Sequence, residues 1–232
     1  RPYSNGETVL VANNSGNVGK NFLSSSGGIL SATFDESNLP LKDLLASGLF
    51  VNRSIMDWYY SEKFKGGTID ILFEHANPIR RASFLRYDEN DELVIGEKLQ
   101  NSIFERLTQT RTLNMELFLD WTPNDNSFIS VDEKYKDKYG IPVANIRIGS
   151  HEQDLKAANF LKEKAVKVFE KMGGKDIVSI ISALPSSNLQ AGGCRFGDNP
   201  KTSVLNKYCQ AHEVSNLFVT DGSFMPTGGS VP

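Results

Sequence analysis

The chain has 232 residues, a formal net charge of −3 at pH 7, and 39% hydrophobic, 23% charged and 10% aromatic residues. Its length can bury the core of one or two domains, and its composition excludes an intrinsically disordered chain. Acidic residues are interspersed among the lysines and arginines, so no basic field for nucleic acid forms, and no apolar run reaches the roughly 20 residues of a membrane-spanning helix. We therefore expect a soluble globular protein with no nucleic-acid partner and no membrane segment, and the sequence leaves the choice between cytoplasm and periplasm open.

The first fifty residues alternate strand signals with turn signals. Residues 8–11 and 27–34 have the composition and spacing of strands, and residues 13–22 between them are dense in turn formers. Residues 40–50 predict a short helix with its leucines on one side.

Strand formers then dominate residues 55–125. The segments 68–73 and 112–119 alternate in part, which favours antiparallel strands with one face exposed to water. A turn at residues 123–126 leads into residues 127–131, and this pattern predicts a hairpin.

A helix is well marked after residue 150. Ser150 and Gln153 have the spacing of a capping box, and Gly173 and Gly174 end the pattern. The apolar stripe falls at intervals of three or four residues: Leu155, Ala158, Leu161, Ala165, Val168 and Met172. Acids accompany the lysines of this helix, so we expect a solvated face there, and a further strand at residues 177–181.

The last 41 residues, from Gly192 to Pro232, carry the strongest signal. The sequence GGCRFG places Gly192, Gly193 and Gly197 around Arg195, where glycine permits close backbone approach. Residues 217–219 predict a short buried strand that ends at Asp221 and delivers its carboxylate into a loop rich in Gly, Ser, Pro and Thr. Such a loop is the usual edge of an α/β ligand site.

This block resembles the C-terminal signature of the glucose-methanol-choline (GMC) family of FAD-dependent oxidoreductases, roughly H-x-x-G-[GT]-x-R-[MF]-G-x-D-P, then S-V, then N-L-F-V-x-D-x-S-x-x-P-T. Two weaker matches precede it in the family's order. VGKNF at residues 18–22 resembles the crossing from the FAD domain to the substrate domain, and residues 123–142 resemble a family hairpin that ends in D-x-x-G-x-P.

The resemblance implies an α+β fold, with an antiparallel sheet of about six strands flanked by helices and a C-terminal strand that would complete an FAD-binding domain. It implies a linker or edge of the FAD domain at residues 1–26, a substrate-binding domain at 27–185 and a C-terminal FAD-contacting segment at 186–232. The implied activity is oxidation of an alcohol or sugar hydroxyl by hydride transfer to FAD.

The same resemblance nominates site residues. The family's catalytic histidine falls at Leu189, which cannot move a proton, and the second catalytic position falls at or beyond Pro232. The positions that would line the flavin are Asp221, Gly222, Pro226, Thr227 and Gly228, and the loop on the substrate side comprises Gly192, Gly193 and Arg195. No metal-ligand spacing occurs. Because the G-x-G-x-x-G fingerprint is absent, we expect FAD in the complete enzyme but no retention of FAD by this chain alone, whose partners would be the missing FAD-binding portion and a small alcohol or sugar.

Several alternatives stay open. Asp221 either lies beside FAD or caps a turn, and Arg195 either holds the substrate-side loop or forms a buried ion pair. Cys194 and Cys209 either bridge or remain semi-buried thiols. Trp58, Tyr59, Tyr60 and Trp121 form either a sugar-stacking wall or packing, and His75, His151 and His212 read as ordinary structural residues. The rival to the whole interpretation is a flavin-free fragment or descendant that acts as a binding or interaction module.

Overall fold

The computed structural model describes residues 13, 15–25, 27–35, 51–60, 65–73, 77–88, 90–182 and 189–229. The strand expected at residues 8–11, the helix expected at 40–50 and His75 lie outside these ranges. The chain divides into two compact units. The first unit comprises residues 1–26, 119–156 and 182–232, and the second comprises 27–118 and 157–181.

The described helices and strands follow one another in this order: β1 (Phe22–Leu23), β2 (Gly27–Asp35), β3 (Val51–Ile55), β4 (Gly67–Phe73), α1 (Pro78–Ser83), α2 (Gly96–Thr108), β5 (Thr110–Leu119), β6 (Phe128–Lys136), β7 (Pro142–Arg147), α3 (Glu152–Lys171), β8 (Lys175–Ile181) and β9 (Ala191–Gly192). Short 3-10 turns lie at Phe84–Arg86 and Gly222–Phe224. The mixed α/β class with antiparallel sheets is confirmed, as are the strands expected near residues 27–34, 68–73, 112–119 and 177–181.

The second unit is built on a sheet of order β3-β4-β5-β2-β8. This is five strands within the described residues, where about six were expected. β2 runs antiparallel to both of its neighbours, with Leu30 opposite Met115 and Ala32 opposite Leu113. These four side chains are buried, and in β2 the buried residues alternate with half-buried or exposed ones, as a strand with one covered face requires.

Residues 157–171 of α3 cover this apolar face. Their buried side chains are Ala157, Ala158, Leu161, Ala165 and Phe169. Phe169 meets Phe34 of β2 edge to face, with ring centroids 5.9 Å apart. Full burial of a Leu or Phe side chain contributes about 1.5–3 kcal/mol, so this face supplies much of the stability of the second unit.

Helix α3 begins at Glu152, and the expected capping box at Ser150 is wrong. The Gln153 N–H instead lies 3.1 Å from Nδ1 of His151, and the His151 carbonyl accepts from the N–H groups of Asp154 and Leu155. The physical reason is where the helix begins. Because Glu152 is the first helical residue, His151 is the preceding residue whose acceptors reach the free N–H groups of the first turn.

The prediction of a hairpin around residues 123–131 is also wrong about which strand pairs with residues 127–131. β6 pairs with β7, and Asp137 closes the turn between them by accepting from the N–H groups of Tyr139 and Ile141. Before β6, the Asn124 side-chain amide and the Ser127 hydroxyl donate to the Gly149 carbonyl. These bonds direct residues 123–127 toward Gly149 rather than back along β5.

The short buried strand expected at residues 217–219 is not formed. Phe218 makes one isolated bridge with Gln210, and Leu217 and Phe218 are 43% and 55% exposed. A buried strand needs a ladder on both edges, and within the described residues this segment pairs only with the turn around Gln210.

A buried carboxylate anchors the connection between β5 and β6. Asp154 is 6% exposed, and it accepts from the Thr122 hydroxyl at 2.6 Å and from the Thr122 N–H at 3.3 Å. Burial raises the pKa of Asp154, while both hydrogen bonds from Thr122 act to lower that pKa. The ionised form therefore depends on Thr122.

We predict that Thr122→Val lowers the free energy of unfolding by about 1–3 kcal/mol near neutral pH, because it leaves a buried carboxylate without its hydroxyl donor. Thr122→Ser keeps the hydroxyl and should lose less. Since the donor matters most to the ionised carboxylate, the Thr/Val difference should shrink as the pH falls through the raised pKa of Asp154. Urea unfolding of the three proteins against pH measures this, and a Thr/Val difference that does not change with pH would contradict it.

Candidate functional site

The three motifs that carried the family resemblance meet in the first unit. β1 begins at the last residue of the VGKNF motif and pairs with β9, with Phe22 opposite Gly192 and Leu23 opposite Ala191. The Gly19 N–H donates to the Gly193 carbonyl at 2.7 Å, and the Gly19 carbonyl accepts from the Ile129 N–H at 2.8 Å. Segments separated by more than a hundred residues thus form one hydrogen-bonded junction.

Gly192 shows why this junction requires glycine. Its φ is +72°, and a Cβ there would lie 2.5 Å from the Asn21 carbonyl oxygen. Gly193 also has a positive φ, +91°, but a Cβ at that position would meet nothing closer than the Gly19 Cα at 3.7 Å. The close approach predicted from the sequence is therefore made by backbone of the same unit at Gly192, and Gly193 leaves room.

Arg195 and His212 both form hydrogen bonds within the signature block. Arg195 is half-buried and donates through Nε to the Thr202 carbonyl at 3.0 Å, which is a bond to the backbone of the signature block. Nε2 of His212 lies 3.0 Å from both the Ser203 hydroxyl and the Gly197 carbonyl. His212 therefore fixes loop geometry, as an ordinary structural histidine does.

Asp221 caps the 3-10 turn at Gly222–Phe224. Its carboxylate accepts from the Ser223 N–H at 2.8 Å and from the Ser223 hydroxyl. These bonds lower the pKa of the exposed Asp221, so it is ionised at neutral pH. The capping role anticipated as one alternative is present.

The cap also places two predicted site segments side by side. The Cys194 N–H donates to the Ser223 carbonyl at 2.8 Å, and Gly222 lies against Gln190 and Ala191. Burial and the charge of Asp221 raise the pKa of the Cys194 thiol, and Cys194 and Cys209 are both free thiols.

Residues 228 and 229, near the end of the signature block, are held by the residues around Trp121. The Gly228 N–H donates to the Trp121 carbonyl at 3.3 Å, and the Gly229 N–H donates to Asp120 Oδ1 at 2.7 Å. A Cβ at Gly228 would lie 2.4 Å from the indole ring of Trp121, which is 6% exposed. Trp121 is thus a packing residue, while Pro226 and Thr227 are exposed.

Leu189 stands just before β9 in an unusual conformation. Its φ is +50° and it is 45% exposed. A bulky residue in the left-handed region is an outlier, whereas histidine, asparagine and aspartate occur there several-fold more often. The backbone at residue 189 is therefore suited to a residue other than leucine.

The helix N-termini in the described residues do not fit the pyrophosphate of FAD. Glu97 lies in the first turn of α2, and Glu152 and Asp154 lie in the first turn of α3. Negative side chains there oppose a phosphate, and α1 has only six residues. We therefore assign no described residue to holding that group.

Sequence reasoning missed a polar cluster in the second unit. Ser31 and Asn114 hydrogen-bond across β2 and β5 at 2.5 Å, and the Ser54 hydroxyl donates to Asp70 of β4. Glu116 lies two residues beyond Asn114, and its pKa is raised by burial and then by the charge of Asp70. Since Leu30 and Ala32 face α3, alternation places Ser31 and its partners on the opposite face of the sheet.

Among the described residues, no group of three or more His, Cys, Asp or Glu side chains is arranged to hold a metal ion. No helix in the described part of the chain is both long and apolar enough to cross a bilayer.

Comparison with known families defines the class. The family model described as GMC oxidoreductase matches residues 123–232, so this part of the chain is a GMC oxidoreductase C-terminal domain. The resemblance read from the sequence motifs is confirmed over these residues.

Individual relatives agree with that class. The chain is 33% identical over 117 residues to 2-methyl-1,2-propanediol dehydrogenase of Mycolicibacterium austroafricanum, covering 50% of this chain and 21% of the relative. It is 30% identical over 140 residues to the fructose dehydrogenase large subunit of Gluconobacter japonicus, covering 60% and 25%. It is 25% identical over 224 residues to 6'''-hydroxyparomomycin C oxidase of Streptomyces lividus, covering 95% and 36%. The chain thus spans between about a fifth and about a third of the length of these relatives.

We predict that Gly192→Ala destabilises the protein more than Gly16→Ala does. Both glycines have φ near +70°, but a Cβ at Gly16 would meet nothing within 4 Å. The shared left-handed strain costs about 1–2 kcal/mol, and the clash at Gly192 adds about 1–3 kcal/mol. Thermal unfolding of the two variants measures the difference, and equal losses would show that the β1–β9 junction yields to a methyl group.

Proposed function

We propose that this chain is the substrate-binding and C-terminal portion of an FAD-dependent oxidoreductase that oxidises a hydroxyl of an alcohol or sugar by hydride transfer to flavin. The observation that carries the proposal is the junction of the VGKNF motif with β9 and β6, within and beside the matched GMC domain. The relatives support it, since they are a propanediol dehydrogenase, a fructose dehydrogenase subunit and an oxidase.

The proposed organisation assigns residues 1–26 to the edge of the FAD domain, 27–185 to substrate binding and 186–232 to FAD contact. FAD, bound by residues of the complete enzyme, supplies the hydride acceptor. Asp221, Gly222, Pro226, Thr227 and Gly228 would line the flavin, and Gly192, Gly193 and Arg195 would shape the substrate side. Two of these groups are already adjacent, because Ser223 bonds to Cys194.

Leu189 bears on whether this chain can supply the catalytic base of the proposed reaction. General-base catalysis needs a group that accepts the hydroxyl proton within hydrogen-bond reach, and leucine has none. This substitution favours the second candidate function, a flavin-free binding or interaction module. The two candidates differ in a simple observable, since bound flavin absorbs visible light and the polypeptide does not.

We predict that the isolated chain purifies without stoichiometric FAD, because its described helix N-termini do not suit the pyrophosphate. The visible absorption spectrum after gel filtration measures this. A chain that kept its flavin through the column would contradict our account of where the pyrophosphate is held.

We predict that Leu189→His, in a complete enzyme that carries the FAD-binding portion and the residues beyond Pro232, raises turnover of polyols or aldoses by about 10²–10⁴-fold. Histidine supplies the missing base and is well tolerated at positive φ. Reduction of an artificial electron acceptor measures the rate, and Leu189→Asn is the control, since asparagine suits the same backbone but is no base. If the leucine form turns over as fast as the histidine form, the base lies elsewhere. If neither form bleaches the flavin with any alcohol, the oxidoreductase proposal fails.

A further inference from the structure

The second unit carries a group of large apolar side chains at its surface, between β4 and β5. We call it the apolar patch and define it by Phe84, Tyr87, Leu93 and Ile95, which are between 54% and 72% exposed. Apolar residues scattered singly over a surface are ordinary, whereas a contiguous group of them marks an interaction site. None of the four belongs to the positions that we assign to the flavin or to the substrate-side loop.

Backbone geometry makes the apolar patch contiguous. Phe84 and Tyr87 are three residues apart across the 3-10 turn, the spacing at which side chains lie above one another. Tyr87 and Leu93 face each other in an antiparallel bridge, so their side chains are neighbours. Val94 is buried and Ile95 has an extended backbone, so alternation returns Ile95 to the exposed side, beside Leu93. The four side chains therefore form one surface.

Opposite charges flank the apolar patch. Arg80 of α1 is exposed, and it lies one helical turn before Phe84. Beyond the Tyr87–Leu93 bridge the chain turns back through an acidic turn, which we define by Asp88, Asp91 and Glu92. Hydrogen bonds from backbone N–H groups of this turn hold the pKa of Asp88 below its usual range, so this acid is ionised at neutral pH. The apolar patch is thus basic at one end and acidic at the other.

Neighbouring charges preserve this polarity. Arg86 adds to the basic side, where its guanidinium lies 5.9 Å from the centre of the Tyr87 ring. Lys98 acts electrostatically on the acidic turn and offsets one of its charges, which leaves that end acidic. Within the described residues, neither Arg80 nor Glu92 forms an ion pair. The charges at the two ends are therefore available to a binding partner.

We propose that the apolar patch is the contact surface of a homodimer, in which two copies of this chain pair across a twofold axis and Arg80 of each copy lies against the acidic turn of the other. A twofold axis presents the same surface from both copies. A patch with one basic and one acidic end therefore matches itself when the two copies run in opposite directions. Phe84 and Tyr87 then pack at the centre, where aromatic rings contribute most of the binding energy.

The charge pattern favours a second copy over an anionic membrane. Apolar side chains beside arginines are also typical of segments that bind an anionic lipid surface. The acidic turn, however, flanks the same patch and is repelled by such a surface, whereas a second copy offers it a basic partner. Four apolar side chains from each copy form a small interface core, so we expect a dissociation constant of about 1–100 μM rather than a permanent dimer.

The dimer is independent of the proposed function. Contact through the apolar patch requires neither FAD nor turnover, so it can be measured on the whole chain without flavin. A chain that stays monomeric would leave the oxidoreductase proposal standing, and a failure of the oxidoreductase proposal would leave the dimer standing.

Sedimentation equilibrium of the whole chain, at concentrations on either side of that constant, measures the dimer. Phe84→Ser should weaken dimerisation by at least about 10-fold, since it removes a ring from the centre of the interface. The matched control is Tyr139→Ser, which removes a similarly exposed ring from the turn between β6 and β7 and should leave the dissociation constant unchanged. If Phe84→Ser fails to fold, Leu93→Ser makes the same test from the other side of the bridge.

Charge reversal tests the orientation of the two copies. Arg80→Glu and Glu92→Lys each place like charges together, and each should weaken dimerisation by about 3–10-fold at low salt. The chain with both changes should recover, because opposite charges then face each other again. Glu92 is the suitable acid to change, because Asp88 accepts from N–H groups of the turn and Asp91 has a φ of +60°, which favours aspartate.

Thermal unfolding of each variant verifies that the fold is intact. The proposal is overturned by a chain that is monomeric at every concentration, or by a dimer that Phe84→Ser leaves as stable as before. It is also overturned if the charge reversals neither weaken nor restore the dimer, or if a monomeric chain cosediments with phosphatidylserine vesicles.

Discussion

Gly19 is the point on which the first unit depends. Its N–H donates to the Gly193 carbonyl, and its carbonyl accepts from the Ile129 N–H. One residue therefore joins the segment just after β9 to the β6–β7 hairpin. A Cβ at Gly19 would lie 2.0 Å from the Ile129 carbonyl oxygen, a distance that no side chain tolerates. The junction therefore exists only because residue 19 is glycine with φ +85°. Every segment that we assign to the flavin and substrate sides is attached to it directly or through one further hydrogen bond.

The signature block is held mainly by main-chain geometry rather than by a large apolar core. Asn199, Asn206 and Asp221 each accept from backbone N–H groups two residues ahead, and these Asx turns set the path of the loops. Leu205, fully buried, is the main apolar anchor within the block. Such a framework fixes where the backbone runs while leaving many side chains at the surface, which is what a loop that contacts a ligand through its backbone requires.

Local periodicity predicted the elements that have one covered face. β5 and α3 were recognised because Leu113, Met115 and Leu117 alternate and because Leu161 and Ala165 recur at helical spacing. The partner of β6 was missed because pairing depends on contacts such as Asn124 to Gly149, which are distant in sequence. The polar cluster of the second unit was missed for a similar reason. The electrostatic effect of Asp70 on Glu116 depends on β4 and β5 being neighbours in the sheet, although about forty residues separate them in the sequence.

At residue 189, the backbone conformation does not depend on the identity of the side chain. A leucine at φ +50° costs on the order of 1–2 kcal/mol, so its neighbours must impose that conformation. They do so through residue 191, which pairs with Leu23, and through Gln190, whose carbonyl lies against Gly222. None of these constraints involves the leucine side chain. The backbone at residue 189 is therefore set by glycine-mediated packing, and the identity of its side chain does not decide the fold around it.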